Sequence, residues 1–215
     1  MKTKLQKSTP SEVDKAVPLI YSSGPDAFEY VFKNNHVDAK DFLKYAFVTS
    51  GGEFSYKNHY SLYLEDKMVG IGSFYNKNVA SKFTVSDASK IIKFYKFRSP
   101  AVLKNGLQVE RIIKLPIKHE ITIGHLGVLP EYRSKGLGTT LMNGLMDLAD
   151  KTADSKFVLD VSEENPRAKA LYDRLGFVVT EKYNSNLKNK YSYVPNHFRM
   201  SLDYARDNIS RLHSG

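Results

Sequence analysis

Between residues 126 and 148 the chain leaves a strand, turns through a glycine-bearing loop and enters an amphipathic helix, a combination that few folds accommodate. The strand ends Leu126-Gly127-Val128-Leu129-Pro130, and Arg133-Ser134-Lys135-Gly136-Leu137-Gly138 with Thr139 follows. Glycines at 136 and 138 allow a sharp turn into the helix, so consecutive N–H groups point outward at the positive end of its dipole. Such a nest suits a pyrophosphate. Leu137, Leu141, Leu145 and Leu148, with Met142 and Ala149 beside them, recur at helical spacing and predict one apolar stripe laid on a sheet.

A second constellation follows. Residues 157–161 read as a strand, after which Asn165 suits an N-cap, Pro166 the first helical position and Gly176 a left-handed C-cap. Ala168, Leu171, Tyr172 and Leu175 then share one helix face, and a strand resumes at Phe177. Two other phosphate loops do not fit: no Gly-Lys-Ser/Thr ends a P-loop, and there is no third glycine or following acidic strand end as in a dinucleotide fold.

The two halves, in this order, resemble the GNAT family of acyl-CoA-dependent N-acetyltransferases. In that family a Val-x-Pro strand end leads into an Arg/Gln-x-x-Gly-x-Gly/Ala loop, and a later Asn-x-x-Ala-x-x-Leu-Tyr-x-x-x-Gly-Phe segment completes the cofactor site. The resemblance implies an α/β fold, a mixed central β-sheet with splayed parallel strands flanked by helices. It also implies a single domain over 1–215, with acceptor-pocket elements at 10–50 and 80–118 and an acetyl-CoA core at 120–180. The strands near 122–129 and 157–161 would part, and the pantetheine arm would pair with the exposed backbone of Leu126, Gly127 and Val128. Arg133, Ser134, Lys135, Gly136, Leu137, Gly138 and Thr139 would hold the pyrophosphate, while Asn165, Ala168 and Tyr172 would complete the site from the other side.

Composition fits an enzyme of one domain. With 215 residues, 41% of them hydrophobic, the chain can bury a sizeable core without needing a second domain. It has no cysteine, which excludes a disulfide framework, a thiolate metal site and an acyl-cysteine intermediate, so transfer is expected to be direct, and the resemblance implies that it needs no metal. No apolar run reaches transmembrane length and the Lys-rich start lacks a signal-peptide core, so a cytoplasmic location without membrane contact is expected. The net charge of +9 is spread along the chain rather than gathered with stacking aromatics, so no nucleic-acid partner is expected. A homodimer is compatible with the sequence, which leaves the oligomeric state open.

Elsewhere, residues 2–8 read as an edge strand, 14–21, 26–33 and 39–48 as helices, and 60–64 with 68–75 as a hairpin. The insert 80–118 reads as two helices divided near Ser99-Pro100, and 197–204 as a last strand.

An amine acceptor arrives largely protonated, with a pKa of ~10.4 for a lysine-like group, and must lose that proton before it attacks a thioester. By resemblance Tyr172 is the donor to the departing thiolate. The base departs from the family pattern, because members with a side-chain base often carry Glu or His where this chain has Thr122 and Gly124. Strand alternation puts Glu120 on the face of Thr122 and Gly124, and turns His119 and His125 away unless a bulge intervenes. Glu120, His125 and a water chain stay open as the base, with Asp26 or Glu29 able to attract an ammonium. The reading is therefore an acetyl-CoA-dependent transferase acting on an amine-bearing acceptor, small molecule or peptide. The alternative is a non-catalytic acyl-CoA-binding sensor on the same fold, motivated by the missing base.

Overall fold

The computed structural model describes residues 2–152 and 154–204. Strand β1 (Thr3–Lys7) comes first, followed by helices α1 (Val13–Ser22), α2 (Pro25–Phe32) and α3 (Ala39–Val48). Pro18 lies within α1 without ending it, and Pro25 opens α2 after a break at Ser23 and Gly24. Asp38 caps α3, its carboxylate accepting from Lys40 N at 3.0 Å, and Asp41 completes a capping box.

Strands β2 (His59–Leu64) and β3 (Lys67–Asn76) form the expected hairpin, with Glu65 in the left-handed region at φ 54°. The insert holds α4 (Lys77–Tyr95) and α5 (Ser99–Val109), parted by a 3-10 turn. Then come β4 (Glu120–Val128), α6 (Leu137–Leu148), β5 (Lys156–Ser162), α7 (Pro166–Arg174), β6 (Val178–Tyr183) and β7 (His197–Asp203).

These strands make one seven-stranded sheet in the order β1-β2-β3-β4-β5-β7-β6. All neighbours are antiparallel except β4 and β5. Because strand residues alternate between faces, the sheet carries a separate core on each side. On one face α6 sets Leu141, Met142 and Leu145 against Val69, Ile121, Ile123, Phe157 and Met200. On the other, α1, α2 and α3 bring Ile20, Phe32, Phe42 and Phe47 onto Met68 and Ile71. Burying each large side chain in these layers is worth about 1.5–3 kcal/mol. The stripe on α6 ends one turn early: Leu148 is 50% exposed, because the helix stops there and the chain turns away from the sheet.

Two irregularities shape β4. Gly127 lies where a Cβ would stand 2.6 Å from the carbonyl oxygen of Leu19, so only glycine lets α1 come this close to the strand. One position earlier, the β3–β4 register slips: Ser73 pairs with Gly124 and Ile71 with Gly127, leaving His125 and Leu126 opposite Gly72 alone. This is a β-bulge, and His125 occupies it at φ 51°, uncommon for a residue with a side chain.

Candidate functional site

The parallel pair β4–β5 runs through Glu120–Lys156, Ile121–Phe157 and Thr122–Val158, and no further pair forms between them among the described residues. Both strands continue, β4 still paired to β3 and β5 to β7, so beyond Thr122 and Val158 their facing edges part. A cavity of about 760 Å³ opens at this fork. Thr122 Oγ1 and Asp160 Oδ1 border it, both buried without a hydrogen-bond partner among the described residues. Such atoms call for an explanation, and a slot that receives hydrogen-bonding backbone or ligand supplies one.

One end of the cavity is the loop before α6. Gly136 is the N-cap at φ 78°, with nothing within 4 Å of where a side chain would begin and no side chain capping the helix. Thr140 is the first residue of the helix to bond back, to Gly136 O at 3.0 Å, so the N–H groups of Leu137, Gly138 and Thr139 precede the ladder. The loop is braced from two sides: Arg133 Nε donates to Val128 O at 2.9 Å, and Arg167 of α7 donates to Ser134 Oγ at 2.9 Å. Arg167 thereby adds a cation that sequence reading passed over.

Leu126, Gly127, Val128, Arg133, Ser134, Gly136, Gly138 and Thr139 all border the cavity. Lys135 and Leu137 do not: the Lys135 ammonium lies over the Tyr132 ring, and Leu137 sends its side chain into the core, leaving only its backbone for a ligand. Asn165 caps α7 as its type suggests, accepting from Ala168 N at 3.1 Å, and both reach the cavity. Tyr172 borders it too; burial pushes its phenol up to about 12, so at neutral pH it is an O–H donor.

The far side of the cavity holds a group that strand alternation hid. The bulge turns His125 onto the face of Thr122 and Tyr75, where it stacks against Phe54 and bonds His59. The tautomers of the pair are fixed. His59 Nδ1 stands 2.9 Å from Ser55 O, which only accepts, so Nδ1 carries the proton and Nε2 accepts from His125 Nδ1 at 3.0 Å. That leaves His125 Nε2 as a bare acceptor, 3.7 Å from Glu53 Oε1. Burial lowers the pKa of both rings, His59 to about 4 and His125 well below the usual range, so the pair is neutral at pH 7.

Glu53 sits in the loop after α3 and is held by three elements. Its N–H donates to Asp87 of α4 at 2.7 Å, Tyr75 of β3 donates its hydroxyl to Oε1 at 3.2 Å, and His125 of β4 faces the same oxygen. Lys90, buried one turn beyond Asp87, fastens the loop by donating to the carbonyls of Ala46, Thr49 and Gly51. Burial, then the neighbouring Asp87 charge, raise the Glu53 carboxyl to about 7, while its side chain keeps 28% exposure through the cavity.

Glu120 stands elsewhere. Its carboxylate accepts from Arg199 Nη2 at 2.8 Å and from Ile117 N at 2.9 Å, and it does not border the cavity. Arg199 joins it to Asp160, whose Oδ2 it meets at 2.9 Å, so the ion pair bridges β4, β7 and β5 below the fork. Glu120, expected as a base, thus meets the buried Arg199 guanidinium rather than the cavity. Asp26 and Glu29 do not border the cavity, and Glu29 accepts from Tyr21 and pairs with Lys33. Glu53 and Arg167 carried no signal in the sequence beyond their residue types, because elements distant along the chain bring them to the cavity, and His59 acts on it only through its bond to His125.

The described residues contain no group of three or more His, Asp or Glu side chains disposed to hold a metal ion, and no helix among them is long and apolar enough to cross a membrane. The sequence model of the Acetyltransferase (GNAT) family matches residues 35–177. Among curated proteins, the chain is 34% identical over 74 residues to the [ribosomal protein bS18]-alanine N-acetyltransferase of Escherichia coli, covering 34% of this chain and 50% of that one. It is 29% identical over 109 residues to the spermidine N(1)-acetyltransferase of Vibrio cholerae, covering 48% and 55% respectively. The chain thus spans about half the length of the curated relatives it matches. In fold it is similar to an N-acetyltransferase structure from Staphylococcus aureus, with a TM-score of 0.68 over 93% of this chain and 100% of that one, at 16% identity. The family match spans the fork in the sheet, the α6 cradle and the segment through Phe177, and the chain belongs to the acetyltransferase (GNAT) family.

Proposed function

We propose that this protein is an acetyl-CoA-dependent N-acetyltransferase that passes an acetyl group directly to an amine acceptor. The observation that carries the reading is the fork: two parallel strands part beside an uncapped helix start, and one cavity joins them to a neutral phenol and a half-buried carboxyl, Glu53. The cradle suits a pyrophosphate, since the helix start is open at Gly136 and Arg133 and Arg167 stand beside it. The parted edges of β4 and β5 suit an amide-bearing arm.

When bound, acetyl-CoA supplies the acetyl thioester. Leu126, Gly127 and Val128 would align it through their backbone, the loop from Arg133 to Thr139 would hold the phosphates, and Asn165 and Ala168 would flank it. Tyr172 would donate its hydroxyl proton where sulfur departs. We take residues 1–215 as one such domain, working in the cytoplasm, with 10–50 and 80–118 forming the acceptor side.

The test is thermal stabilisation by acetyl-CoA, with CoA and longer acyl-CoAs alongside. A ligand that binds only the folded state adds ~2.7 kcal/mol at a hundred times its Kd. Gly136→Glu, which puts a carboxylate and a side chain at a left-handed position in the cradle, is expected to abolish the effect while the apo protein stays folded. Absence of stabilisation by any thioester would overturn the reading.

A further inference from the structure

Away from the phosphate cradle, the cavity has walls and floor of opposite chemistry. Phe28, Phe54, Phe83, Ile91 and Leu103 line it with carbon. Four carboxylates reach it, but three are poorly suited to a ligand's charge, Asp160 being held by Arg199 at 2.9 Å. Asp87 serves the protein, accepting from Glu53 N and standing 3.9 Å from buried Lys90. Glu110 lies just past the end of α5, on the rim of the insert. Glu53 is different: among the described residues the polar side chains against its carboxyl are the Tyr75 hydroxyl at 3.2 Å and His125, whose Nε2 is the bare acceptor described above, at 3.7 Å. Thr122, at the fork, also lines the cavity, and its buried Oγ1 has no hydrogen-bond partner among the described residues.

We infer that this lobe receives a monoamine carried on an apolar body, and that Glu53 takes the proton from its nitrogen. The inference rests on the acetyl-transfer reading above. Its chemistry balances without a further reactant. The ammonium gives one proton to the Glu53 carboxylate, and the freed nitrogen lone pair forms the bond to the acetyl carbon as the carbon–sulfur bond breaks. The thiolate takes a proton from Tyr172, which recovers one from the newly acylated nitrogen, and Glu53 returns its own proton to water. Glu53 is poised for this, since a carboxyl titrating at about 7 is ionised in a useful fraction at neutral pH yet binds a proton far better than an ordinary one. The groups that face it are Tyr75 from β3, His125 from β4, Asp87 from α4 and Glu110 beyond α5, and none of them is a cation at neutral pH. A polyamine would have to set its further ammonium groups against Phe28, Phe54 and Phe83, because Asp87 and Asp160 are already engaged by Lys90 and Arg199.

Two measurements test it, both reading thiol released from acetyl-CoA. In the first, 2-phenylethylamine, spermidine and a short peptide with a free N-terminal alanine are compared on the unaltered protein. The expected result is a kcat/KM for 2-phenylethylamine at least 10-fold above the other two. Preference for spermidine or the peptide overturns the acceptor class, as does thiol release with none of the three while acetyl-CoA still stabilises the fold. Loss of that stabilisation in the unaltered protein would instead remove the reading beneath. In the second, Glu53→Gln is expected to lower kcat at least 100-fold, to erase the rise in rate as pH increases through about 7, and to keep acetyl-CoA stabilisation; Glu53→Asp is expected to restore part of the rate. A Glu53→Gln protein that keeps both its rate and its pH limb overturns the role of Glu53.

Discussion

Tyr172 presents its phenol to the cavity from the face of α7 that also carries Ala168 and packs near Phe177, with ring centroids 6.1 Å apart. Removing only the hydroxyl leaves that packing in place, so Tyr172→Phe separates chemistry from structure. It is expected to lower kcat about 100-fold, within the range for a positioned proton donor, with acetyl-CoA affinity unchanged within about twofold. Steady-state rates beside thermal stabilisation read the two separately, and an unchanged kcat removes the role. His125 acts through another residue. The fixed tautomers of His59 and His125 present a neutral ring edge to Glu53, and an imidazolium there would pair with the carboxylate and pull its titration down. Burial of both rings keeps that charge away.

Among the elements, α6 serves both core and cradle. Leu141 and Leu145 fix the helix to β3 and β4, and that anchorage aims the open N–H groups at the fork. Leu145→Ala is expected to cost about 2–5 kcal/mol of stability in a denaturant titration, because it vacates a fully buried site against the sheet. A cost below about 1 kcal/mol would contradict the packing described. The helix was legible beforehand: leucines at 137, 141 and 145 recur at its period, and glycine at 136 marks its start. So were α3 over 39–48 and the break at Ser23 and Gly24, since capping and proline chemistry act within a few residues. The site was legible only where contacts are local. Asn165 capping α7 could be read from its neighbours. Glu53 could not, because what makes it unusual are Asp87, Tyr75 and His125, which lie 34, 22 and 72 positions along the chain. Strict period-two alternation turned His125 away, and one extra residue in β4 reversed it. Glu120 was placed on the correct face, yet its partner Arg199 lies 79 positions on, across β5.

At the scale of the whole molecule, one cavity crosses the sheet from an electropositive cradle to an acidic, phenylalanine-lined lobe. The net charge of +9 favours approach of a polyanionic donor, while the Glu53 carboxylate, with no cation beside it among the described residues, waits on the acceptor side. Both substrates would then be present together before any bond changes. The absence of cysteine makes this open to a simple assay, since the protein contributes no thiol of its own to a thiol-reactive dye. The most direct measurement is the initial rate of thiol release over a matrix of acetyl-CoA and 2-phenylethylamine concentrations. The account expects release only when both are present, with double-reciprocal lines that intersect, as a ternary complex requires. Parallel lines, or the same release without amine, would contradict direct transfer within this cavity.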